Sequence, residues 1–97
     1  MEVIDRKFRF NAISSEHANF YTEREGVLFL AKDKLLPATL RFYRDLCASS
    51  GVDGRQLLGV DLLIQRVEKY QKENPAQLKF PDVDSGERGE EIIRPND

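Results

Sequence analysis

The sequence predicts a mainly α-helical domain with a minor β element. Apolar residues recur at three-and-four spacing from Leu35 to Cys47 and again from Leu57 to Tyr70, the signature of two amphipathic helices. Period-2 alternation occurs once, where Phe8, Phe10 and Ala12 interleave with Lys7, Arg9 and Asn11. A chain of 97 residues has room for one core.

The alternation places an N-terminal strand over about 6–12, which needs a partner for its backbone groups. Ile13 to Phe20 then reads as an irregular connection, with Ser14, Ser15 and Asn19 favouring turns or caps. Thr22-Glu23-Arg24-Glu25 has the form of a capping box and predicts a short helix over about 23–33. Gly26 leaves that helix without a hydrophobic staple to Tyr21. Pro37 removes a backbone donor and clashes with the preceding turn, so a break is expected near residues 33–37.

Beyond the break, one helix is expected over about 35–50. Val27, Leu30, Ala31, Leu35, Ala38, Phe42 and Leu46 make one stripe, and Leu36, Leu40, Tyr43 and Cys47 make a second beside it. Gly51 is a natural stop. The most strongly marked helix spans about 53–74: Asp53 is its N-cap, Gln56 completes a box, and Val52 and Leu57 form a staple. Leu57, Val60, Ile64, Val67 and Tyr70 form its core stripe, which Leu58, Leu62 and Leu63 widen. Lys69 and Lys72 suit the negative pole of its dipole, and Pro75 ends it. A connection of about four residues makes the two helices an antiparallel hairpin.

Residues 1–84 are read as a single small helical domain and 85–97 as a flexible acidic tail. Leu78, Phe80 and Val83 anchor an extended piece between them, with Lys79 facing out. The net charge of −2 divides unevenly. Residues 75–97 hold six acidic and three basic side chains, so residues 1–74 carry +1.

Fifteen Lys and Arg against seventeen Asp and Glu argue against a basic nucleic-acid binder. The short apolar runs exclude a transmembrane helix, and no membrane partner is expected. One cysteine forms no internal disulfide, and the N-terminus lacks the pattern of a secretory leader. A cytoplasmic setting follows.

No catalytic residue, metal or cofactor is assigned. A structural zinc site needs about four Cys or His ligands, and the chain has only Cys47 and His17. Gly51 to Gly54 lack the lysine and spacing of a phosphate loop. Cys47 falls near the C-terminal end of its helix, where the dipole disfavours a thiolate, and reads as a small buried apolar residue. His17 belongs to a polar turn, and the helical carboxylates read as a solvated, ion-paired face.

Two surfaces remain as candidates. Lys34, Arg41, Arg44, Arg66 and Lys69, with Tyr43, could hold a phosphate, nucleotide or carboxylate. The competing reading pairs each cation with a nearby acid, as Arg66 with Asp61 or Glu73. The second surface is apolar, because the helical stripes are wider than a hairpin can hide. Gly59 loses about 1 kcal/mol of helix propensity relative to Ala, a loss explained by a close backbone approach from the neighbouring helix or from a partner. Leu58, Gly59, Leu62 and Leu63 are therefore the expected oligomer interface. The leading expectation is a small, non-enzymatic, self-associating binding protein that acts on a protein partner as inhibitor or adaptor. The alternative is an oligomeric sequestering protein for an anionic, nucleotide-like small molecule. A small enzyme using Cys47 or a carboxylate pair ranks third.

Overall fold

The computed structural model describes residues 2–81, in two units: residues 2–28, and Phe29 to Pro81. Together they are mainly α with a minor β element. The expected acidic tail, and Val83 with it, lies outside the described residues. No helix among the described residues is long and apolar enough to cross a membrane.

In the first unit, β1 (Asn11–Ile13) and β2 (Phe20–Thr22) form a two-stranded antiparallel ribbon, with Asn11 opposite Thr22 and Ile13 opposite Phe20. Ser14 closes the loop between them. Its N–H donates to the Asn19 carbonyl at 2.8 Å, and its own carbonyl accepts from Ala18 at 3.1 Å. The strand expected over 6–12 is thus displaced to the end of its range. Phe8 and Phe10 are half-buried in non-strand chain, because a side chain supplies the acceptor that a strand neighbour would have given. The Phe10 N–H donates to Glu23 Oε1 at 3.1 Å.

The helix expected over 23–33 does not form. One of the two capping-box bonds is present, the Thr22 N–H donating to Glu25 Oε1 at 2.7 Å, while Thr22 Oγ1 accepts from the Arg24 N–H at 3.3 Å instead of from Glu25. They close a turn and stop there. The Glu25 and Gly26 N–H groups both fall on the Thr22 carbonyl. Gly26 lies against the Phe10 ring, where an added Cβ would come within 3.3 Å of the ring tip. Two residues on, the Leu28 N–H is captured by the buried Asp5 carboxylate at 2.8 Å. Local capping chemistry is the same for a turn and a helix start, and here tertiary acceptors take the donors a helix would have used.

Glu23 holds the same unit from the other side. Its carbonyl accepts from Ile4 and Asp5 at 2.8 and 3.0 Å. Its carboxyl is held below the usual carboxylate range by its own backbone N–H and then by that of Phe10, with Arg9 and Arg24 adding to the effect. A depressed folded-state pKa means the stabilisation is present above the unfolded value and lost as pH falls through the folded one. In an NMR titration the Phe10 amide should therefore shift together with the Glu23 carboxyl, below the ordinary glutamate range. An amide that titrates at the ordinary value would contradict this arrangement.

The second unit is the helical hairpin. α1 (Leu36–Ser49) begins where Pro37 allows, with the proline in the first turn. It ends in a Schellman arrangement: Gly51 has φ +77°, its N–H donates to Ala48, and the Val52 N–H reaches back to Cys47 at 3.1 Å. α2 (Gly54–Glu73) starts on Asp53, whose carboxylate accepts from the Arg55 N–H at 2.8 Å. A one-turn 3-10 helix, Pro75–Gln77, follows it.

The chain entering α1 is fixed to the chain leaving α2. Gln71 Nε2 donates to the Ala31 and Asp33 carbonyls at 2.9 and 2.7 Å. Asp33 and Lys79 form a parallel bridge, and the Lys34 ammonium sits 4.8 Å from the centre of the Phe80 ring. The extended piece expected near residues 78–80 therefore runs beside residues 32–34.

The buried apolar side chains of the described residues are Leu36 and Cys47 from the α1 side and Val60, Ile64 and Val67 from α2, with Pro37 beside them. Of the stripe expected on α2, Val60, Ile64 and Val67 are buried, while Leu57 is half-buried and Tyr70 lies at its edge, 36% exposed. On α1 the inward stripe is the one through Leu36, Leu40 and Cys47, without Tyr43, which was expected in it and is 53% exposed. The other stripe faces out, with Phe42 67% and Leu46 50% exposed.

Candidate functional site

Helical geometry gives the hairpin two flanks of opposite character. Successive residues turn by about 100°, so side chains two apart point nearly opposite ways. Arg41 on α1 pairs with Glu68 on α2, and Arg44 Nε donates to Asp61 Oδ1 at 3.1 Å. These bonds define one flank. Tyr43 and Leu63 lie two residues on from Arg41 and Asp61, so both point to the other.

The charged flank is an open groove of about 530 Å³ lined by Arg41, Arg44, Asp45, Asp61, Gln65 and Glu68, with Leu58 and Ile64. It holds three carboxylates against two guanidinium groups, and each guanidinium already donates to a carboxylate. The pairs are roughly half exposed, so each contributes about 0–1 kcal/mol. An anion entering here would have to displace Glu68 or Asp61.

The remaining candidate anion-binding residues lie elsewhere. Lys34 precedes α1 and stacks on Phe80. Lys69 is 3.9 Å from Glu73, one turn on in the same helix. Arg66 points away from the groove, and no ion pair to it is found among the described residues, so the expected pairing with Asp61 or Glu73 is not made. Tyr43 is on the opposite flank, where a hydrogen bond to the Cys47 thiol one turn on pushes its phenol above the ordinary value. The structure thus brings Arg41 and Arg44 together but separates them from Lys34, Tyr43, Arg66 and Lys69.

The apolar flank gathers Tyr43 and Leu46 from α1 with Gly59, Leu63 and Tyr70 from α2, and Phe42 and Leu62 form its outer edges. All six larger side chains are exposed. Leu58, expected beside them, lines the charged groove instead. Gly59 does not serve the packing of α1 on α2, since a Cβ there would meet nothing within 4 Å. Phe42, Leu46 and Tyr70 were not among the expected interface residues. The signal for them was the breadth of the stripes, since a helix apolar over more than half its circumference cannot turn all of it to one neighbour.

Cys47 is buried and His17 is exposed in the β1–β2 loop. Among the described residues no group of three His, Cys, Asp or Glu is arranged to hold a metal ion. No family model, curated protein or solved structure matches the chain.

Proposed function

We propose that the chain is a small, non-enzymatic binding protein of the cytoplasm that self-associates and acts by occupying a protein partner. The observation that carries this reading is the apolar flank. Six large apolar side chains of the hairpin stay exposed, and exposed apolar surface of this extent on small domains marks protein-contact surfaces. The charged groove supports the same reading, because its guanidinium groups are already engaged by carboxylates.

The test is affinity capture from the native host with the wild-type chain and with Phe42→Glu, followed by reconstitution from purified components. One protein is expected to be held stoichiometrically by the wild type, lost with Phe42→Glu, and bound again on reconstitution. Identical capture by both chains would remove the apolar flank from the function. A thermal midpoint raised by a nucleotide in the wild type and not in Arg41→Ala would favour the sequestering protein instead.

A further inference from the structure

We infer that the apolar flank of the hairpin seats a second copy of this chain, two hairpins stacking about a two-fold axis beside Leu62 and Leu63 to form a four-helix bundle. This rests on the self-association proposed above and assigns it this flank, so that a protein partner meets the flank in exchange for the second copy. Three observations argue for a second copy.

The first is area. With aromatic rings burying roughly 150–250 Å² each and leucines somewhat less, the observed exposures of Phe42, Tyr43, Leu46, Leu62, Leu63 and Tyr70 leave on the order of 500 Å² of apolar surface uncovered. Buried fully on both copies, these side chains remove about 1,000 Å² from water, the lower bound for a specific interface, to which the polar rim adds.

The second is form. The flank spans two antiparallel helices, and two antiparallel pairs packed face to face are the closed arrangement in which each stripe meets its equal. The same patch on each copy then serves as both surfaces.

The third is Gly59. It sits on this flank between Leu58, Leu62 and Leu63 in the chain, with open space where its Cβ would be. A glycine in the second turn of a 20-residue helix weakens that helix and does nothing for the hairpin. It does allow a partner to approach closely where a larger residue would hold it off. Arg66 lies on this face, with Arg55 and Glu73 toward its Leu62 edge, and can lay its aliphatic stem along the interface and keep its guanidinium in water.

The experiment is light-scattering mass measurement on the full chain at about 100 µM, with helix content followed by circular dichroism. The wild type should give twice 11.2 kDa. Leu63→Glu should give the single mass with helix content intact, and Gln65→Glu, on the charged flank, should remain a dimer. Gly59→Leu should raise the dimer dissociation constant at least tenfold while the dilute monomer melts at a higher temperature. A monomeric wild type overturns both this inference and the proposed self-association. A dimer that survives in Leu63→Glu overturns this surface alone. Should Leu63→Glu unfold, Gly59→Leu decides: tighter helix with unchanged dimerisation overturns the inference, and loss of the dimer supports it.

Discussion

Ile64→Ala is expected to lower the stability of the helical hairpin by about 2–3 kcal/mol, the low part of the range for removing a buried isoleucine. Ile64 is 7% exposed and lies one turn from Val60 and one from Val67, at the middle of the inward face of α2. Only five apolar side chains beside Pro37 are buried among the described residues, so each is a large share of the core. None is less than 2% exposed, and a cavity so near the surface can relax or admit water. That places the cost below the largest values. For a domain of this size each kcal/mol moves the melting midpoint by roughly 4–8 °C, so a drop of about 10–20 °C is expected at fixed protein concentration. Ile64→Val, which removes one methylene, should cost about 0.5–1.5 kcal/mol. Thermal and denaturant melts read by circular dichroism check both. A midpoint within about 2 °C of wild type for Ile64→Ala would show that this stripe is not the core.

The hairpin was legible in the sequence because every signal for it is local. Asp53 caps within two residues, Gly51 adopts its positive φ within the motif it terminates, and Pro37 falls in the first turn. The inward face of α2 could be read from spacing alone. On α1 two stripes competed, and which one turned inward was decided by where α2 lies, a fact outside either stripe. The N-terminal region was misread for the same reason. The donors at Phe10 and Leu28 are taken by Glu23 and Asp5, which are 13 and 23 residues away in the chain. Periodicity cannot register acceptors at that distance, so alternation suggested a longer strand and the capping box a helix. The candidate site follows this pattern. Arg41 and Arg44 were correctly brought onto one face, but their carboxylate partners come from the facing helix and change what that face can bind.

Asp5→Ala is expected to release the first unit while leaving the helical hairpin folded. Asp5 is the one buried charged or polar residue among those described, at 6% exposure, and its carboxylate is used on both oxygens. Oδ1 accepts from the Lys7 and Phe8 N–H groups at 2.8 Å each, and Oδ2 accepts from Leu28 at 2.8 Å. Two of these bonds shape the turn after Asp5, and the third ties that turn to a residue 23 positions later. Bonds to a charged acceptor contribute about 1.5–3 kcal/mol net, and the orphaned amides recover part of that from water once the segment opens. A loss of roughly 3–4 kcal/mol in local stability follows for residues 2–28. Asn is not a replacement, because its amide nitrogen would face one of the three donors while its oxygen served the others. Amide hydrogen exchange separates this from a global effect: exchange at Lys7, Phe8 and Leu28 should quicken by about 10²-fold, and at Val60 and Ile64 should be unchanged. Retained protection at Leu28 in Asp5→Ala would mean that the Gly26–Leu28 segment is held by something other than this carboxylate. In that case the failure of the helix expected over 23–33 would need a different cause.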